Sequence, residues 1–100
     1  MEKFVYYNNL FLIYKDFIKE SNQEIFDLYY GDNLSMQEIA DLKKLSRSRI
    51  GAIIKQTEKR LDYLEENCNL YELKTKLQQL LKEEDINKIK RGIKEIIGEE

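Results

Sequence analysis

Seven cationic side chains fall within eighteen residues of this 100-residue chain: Lys43, Lys44, Arg47, Arg49, Lys55, Lys59 and Arg60. Glu58 is the only acid among them. The stretch KKLSRSRIGAIIKQTEKR therefore carries +6, against −5 for residues 1–42 and −3 for residues 61–100, leaving −2 over the whole chain. Concentrating positive charge in an otherwise acidic protein serves one chemistry above others, the holding of anions, and a run of this length suits a polyanion such as nucleic acid.

Bond-making chemistry has little to work with. The chain has no histidine, which removes the usual general base and the commonest metal ligand. Its one cysteine, Cys68, has no histidine to activate it and continues an apolar stripe, so it reads as a small core residue. Glu65-Glu66 and Glu83-Glu84-Asp85 lack the alternating oxygens and glycine of a calcium loop. The glycines are isolated at 31, 51, 92 and 98, so no phosphate-cradling loop exists. The reading is a non-enzyme with no cofactor and no metal. No apolar run approaches the ~20 residues of a membrane span. The start MEKFVYYNNL lacks the charges and cleavage site of a signal peptide. With a single cysteine, a cytoplasmic location is expected.

The elements that position the cations follow from local physics. In Leu34-Ser35-Met36-Gln37-Glu38-Ile39, Ser35 is placed to cap a helix, Glu38 completes a capping box, and Leu34 and Ile39 staple the start. Ile39 and Leu42 are expected to face inward, with Ala40 small enough for another helix to cross closely. Leu45-Ser46-Arg47-Ser48-Arg49-Ile50 repeats the signal with Ser46 as cap. From there Ile50, Ile53, Ile54, Thr57, Leu61 and Leu64 hold a 3.6-residue stripe. About three residues separate the helices, the spacing of a helix-turn-helix.

Arg47 and Arg49 stand in the first turn of the second helix, where the macrodipole disfavours cations by up to ~1 kcal/mol. A phosphate in front of that helix end reverses the sign, aided by free N–H groups. Projection from the apolar stripe turns Ser48, Ala52, Lys55 and Lys59 outward, flanked by Arg49 and Gln56. Arg47, Ser48 and Lys55 are assigned to the groove. Lys43, Lys44, Arg49 and Lys59 are assigned to phosphates.

The run SMQEIADLKKLSRSRIGAIIKQTEKRL resembles the fourth region of bacterial sigma factors, whose helix-turn-helix reads promoter DNA. The wider chain, through LFLIYKDF, NQEIFDLYYGDNLSMQEIA and SRSRIGAIIKQTEKRL, is more closely similar to the YlxM-like proteins of bacteria, over residues 9–66. That resemblance implies an all-helical DNA-binding protein tied by gene neighbourhood to the signal recognition particle machinery and regulating that operon. Three positions depart from the pattern. Lys43 stands where the first helix normally turns an apolar residue inward, so either Leu42 takes that role or the helix ends early. Lys44 occupies a turn position often held by Gly or Asp. Gly51 and Ala52 replace the long polar side chains that reach bases, so weakly sequence-specific binding is expected.

The flanking segments are apolar and helical. Phe4, Tyr7, Phe11, Tyr14 and Ile18 make one seam of a first helix, and Tyr6, Leu10, Ile13 and Phe17 a second, which predicts burial on both sides. Ser21 and Glu24 read as another capping box before a short helix over 23–30, closed by Gly31-Asp32-Asn33. Asn67 and Asn69 bracket a break in register. Beyond it Leu70, Leu73, Leu77 and Leu80, then Ile86, Ile89, Ile93 and Ile96, make two further stripes. The expected architecture is all-α: a helix-turn-helix domain over 1–66, without a wing, and a helical extension over 67–100 for packing or dimerisation. The expected partners are duplex DNA, and a second copy of the chain to offer two helices to one duplex. A non-enzymatic adaptor for the RNA or protein components of the signal recognition particle is the alternative. Insertion into a membrane is not expected.

Overall fold

The computed structural model describes residues 2–99. Among them the chain forms six α-helices and no strand: α1 (Lys3–Tyr14), α2 (Glu20–Phe26), α3 (Met36–Lys43), α4 (Arg47–Cys68), α5 (Leu70–Leu81) and α6 (Ile86–Ile97). It divides into two units, one ending at Cys68 and the other beginning at Asn69. The break falls where the paired asparagines predict it, and Asn69 takes the left-handed conformation at φ 55°.

In the first unit α4 is the hub, packed against α1, α2 and α3. Its inward stripe is the one read from spacing: Ile50, Ile53, Ile54, Thr57, Leu61 and Leu64 are all buried. Facing them are Leu10, Phe11 and Tyr14 from α1, Ile25 and Phe26 from α2, and Ile39 and Ala40 from α3. Buried Thr57 donates its hydroxyl to the Ile53 carbonyl 2.8 Å away, so this polar atom inside the core is satisfied. Rings from α1 meet rings from α2 and the turn after it. Phe11 lies 5.1 Å from Phe26, Phe26 4.5 Å from Tyr30, and Phe4 4.8 Å from Tyr30, all tilted.

Three expectations about this unit are corrected. The first helix ends at Tyr14 rather than running to Ile18, and Lys15–Phe17 form a tighter 3₁₀ turn. The Gln23 side-chain amide donates to the carbonyls of Lys15 and Ile18, each at 2.7 Å, and holds the corner. Ile18 is thereby turned in and Phe17 turned out, 63 % exposed instead of buried. Ser21 caps nothing. α2 already begins at Glu20, with Lys19 at its cap position and no side-chain cap bond. The segment after Phe26 is one wide π turn, Asp27–Gly31, rather than a continued α-helix.

Cys68 is exposed, not a core residue. Leu64 is the last buried position of α4, so the stripe outlasts the helices that cover it.

In the second unit α5 and α6 pack on one another as a hairpin. Asp85 caps α6 by accepting the Asn87 N–H at 2.9 Å, so the acids at 83–85 do mark that helix start. Contact is close at Gly92: a Cβ there would fall 2.4 Å from a Leu80 methyl carbon, so a larger residue would push the Leu80 side chain aside.

Candidate nucleic-acid interface

The helix-turn-helix forms as its capping signals direct. The Ser35 hydroxyl accepts the Glu38 N–H at 3.1 Å, and the Ser35 N–H donates to Glu38 Oε1 at 2.9 Å. These bonds from Ser35 hold the Glu38 carboxyl below the usual carboxylate range. α3 stops at Lys43 after eight residues. Lys44 then takes the left-handed conformation (φ 57°, ψ 43°), and the N–H groups of Lys44 and Leu45 both return to the Ala40 carbonyl. After a turn of residues 44–46, the Ser46 hydroxyl accepts the Arg49 N–H at 3.1 Å and opens α4.

Leu42 does not take the inward role proposed for it; it is 63 % exposed. Ile39 and Ala40 set the inward direction of α3, and at about 100° per residue Lys43 falls on that direction while Leu42 lies well off it. Lys43 buries part of its stem and carries its ammonium to Glu24 Oε2, 2.8 Å away. The helix ending early is therefore how this chain accommodates a lysine at that position.

The other assigned cations are open. Lys44, Arg47, Arg49, Lys55 and Lys59 are exposed, as are Ser48, Ala52, Gln56 and Arg60. The first turn of α4 contains no acid. Ser46 serves the N–H groups of Arg49 and Ile50, which leaves those of Arg47 and Ser48 without a helical acceptor. A phosphate in front of this end would meet two N–H donors in a region made positive by the neighbouring arginines. Gly51 is half-buried beside α3, but a Cβ on it would lie 3.6 Å from Met36 Sδ, an ordinary contact. Helix packing does not require a glycine there.

One arrangement was not foreseen from the chain. The three acids along one side of α4 each accept a tyrosine hydroxyl: Asp62 from Tyr7 at 2.9 Å, Glu65 from Tyr14 at 2.6 Å, and Glu58 from Tyr30. Lys3 adds an ion pair to Glu58 at 3.5 Å, and the Glu58 side chain is only 12 % exposed. The single acid of the basic stretch thus points away from the cationic face and is neutralised from behind. Burial, followed by the hydrogen bonds to these carboxylates, pushes the Tyr7 and Tyr30 hydroxyls well above their ordinary value of 10. The signal was present in the spacing. Acids at 58, 62 and 65 lie on one helical side, and tyrosines at 7 and 14 lie on one face of α1.

A short capped helix joined by a tight turn to a long one with a cationic first half, both supported by two preceding helices, defines a protein of the helix-turn-helix class. The comparisons agree and give the family. A family model described as "Putative helix-turn-helix protein, YlxM / p13 like" matches residues 1–98, and the chain belongs to that family, UPF0122. It is 30% identical over 102 residues to the UPF0122 protein of Mycoplasma capricolum, covering 97% of this chain and 90% of that one. It is 32% identical over 98 residues to the UPF0122 protein of a Thermoanaerobacter species, covering 98% of this chain and 79% of the other. The similarity to the Clostridium botulinum protein reaches 39% identity over 70 residues, 70% of this chain and 64% of that protein. No solved structure gives a significant match. Among the described residues, no helix is long and apolar enough to cross a membrane.

Proposed function

We propose that this protein binds duplex DNA through α3–α4 and acts as a regulator, with α4 as the element laid against the groove. The observation that carries the reading is the exposed positive charge of the first half of α4. Arg47, Arg49, Lys55 and Lys59 are exposed, while Glu58 is turned back under Tyr30 and Lys3. A helix that merely needed solubility would interleave acids on that surface. Arg47, Ser48 and Lys55 are the side chains nearest the groove in this reading, and Lys44, Arg49 and Lys59 grip phosphates. Lys43 reaches a phosphate only by leaving Glu24. Ala52 at the middle of the outward row offers nothing to a base edge, so affinity comes chiefly from the backbone and sequence preference is modest.

The setting in signal recognition particle regulation rests on the resemblance to YlxM-like proteins alone. The same Ala52 observation suits a second reading, an adaptor that grips the structured RNA of that particle by its phosphates.

Fluorescence anisotropy with a pool of duplex genomic fragments tests the proposal. If about six phosphates are engaged, affinity falls on the order of 10³-fold between ~50 and ~200 mM salt, and Arg47→Glu/Lys55→Glu abolishes binding. No binding of duplex at low salt, with retention of structured RNA, would move the reading to the adaptor.

A further inference from the structure

A cleft of about 200 Å³ lies beside the cationic row, between the corner that precedes α2 and the middle of α4. Its walls are Phe17, Lys19 and Asn22 on one side and Gln56 and Arg60 on the other, over a floor that includes Thr57. We propose that this cleft receives one unpaired nucleotide of a nucleic-acid strand, its base laid on the Phe17 ring and its phosphate held by Lys19 and Arg60.

Phe17 carries the argument. It belongs to an apolar seam in the sequence, yet it is 63 % exposed. The exposure is not a frayed end, because the Gln23 amide ties the carbonyls of Lys15 and Ile18 on either side of it and Ile18 anchors in the core. A phenyl ring held outward on a braced corner, in a cleft that two cations also line, is what a base-stacking platform needs. The walls add the remaining chemistry. Asn22 and Gln56 offer amides that both donate and accept, as base edges require. Arg60 is held near the Tyr63 ring, with its guanidinium carbon 5.7 Å from the centroid. Thr57 already donates to Ile53, so the floor makes no demand of its own.

Size narrows the ligand. Pockets that enclose a whole small molecule begin at roughly 300 Å³. This cleft is smaller, so it admits a base and leaves sugar and phosphate at the rim, where Lys19 and Arg60 stand. Duplex DNA cannot supply such a base without unpairing, so the site adds a preference for bulged or frayed strands to the duplex binding proposed above, on which it rests.

The test compares a fully paired DNA duplex with the same duplex carrying one bulged nucleotide, by anisotropy with the full chain. The bulged probe is expected to bind more tightly by about fivefold to a hundredfold, the usual worth of one base on an aromatic ring. Phe17→Ala should erase that preference while leaving affinity for the paired duplex unchanged, and Phe17→Tyr should retain it. The Arg47→Glu/Lys55→Glu variant should weaken both probes. Equal affinity of the native chain for both probes, or equal losses for both on Phe17→Ala, overturns the cleft proposal and leaves duplex binding standing. Absence of binding to either probe overturns both.

Discussion

Lys44 holds a conformation that suits it poorly. At φ 57° its Cβ meets the following carbonyl, a strain that glycine escapes. Helix ends of this kind usually carry Gly or Asn, so Lys44 holds its charge there against backbone strain. Lys44→Gly is therefore expected to raise stability in urea unfolding by about 1 kcal/mol while weakening DNA binding in the same preparation. A variant that gains stability with undiminished affinity would remove Lys44 from the interface. The sequence already marks this position as unusual for the turn. What it could not reveal is that Lys43, next in line, is drawn off to Glu24, because that pairing spans nineteen residues.

Between elements, the tyrosine–carboxylate contacts fix how α1 and the turn after α2 sit on α4. Tyr7 and Tyr30 are protonated in the fold, with pKa values raised by burial first and by Asp62 and Glu58 next. Below pH 10 both the folded and unfolded chains keep these protons, and the stabilisation is fully present. Above pH 10 the unfolded chain loses them while the fold retains them, so stability falls as pH rises. Urea midpoints measured from pH 8 upward should drop beyond pH 10, and the Tyr7→Phe/Tyr30→Phe variant should show a shallower drop. Equal slopes would mean that these hydroxyls do not couple to folding. The helices themselves are legible in the chain: both capping serines of the helix-turn-helix and the inward stripe of α4 follow from spacing. The end of α1 was not legible. The bonds that stop it come from Gln23 in the next helix, and periodicity along α1 is blind to them.

At the scale of the whole molecule, the second unit poses a packing problem. Among its described residues α5 and α6 bury none, although they carry Leu70, Leu77, Ile86 and Ile93, each more than 40 % exposed. Two helices of twelve residues are marginal on their own, and a stripe of this kind calls for a partner surface. A second copy is the partner proposed, since two-fold pairing would also bring two α4 helices to one duplex. Sedimentation should then report twice the 12.1 kDa chain mass, and Leu77→Glu/Ile93→Glu should return the monomer with weaker DNA binding. A native chain that sediments as a monomer would end the dimer proposal.

By itself the sequence determined the all-helical class, the two caps and turn of the helix-turn-helix, the buried stripe of α4 and the break near Asn69. Each depends on residues within a turn or two of one another, where hydrogen-bond reach and helical period are enough. The tertiary structure decided the rest. It turned Glu58 away from the cationic row, sent Lys43 to Glu24, left Leu42 and Cys68 in solvent and presented Phe17 beside Arg60. These outcomes depend on which helix covers which side of α4, and contacts made across tens of residues leave no local period in the chain to be read.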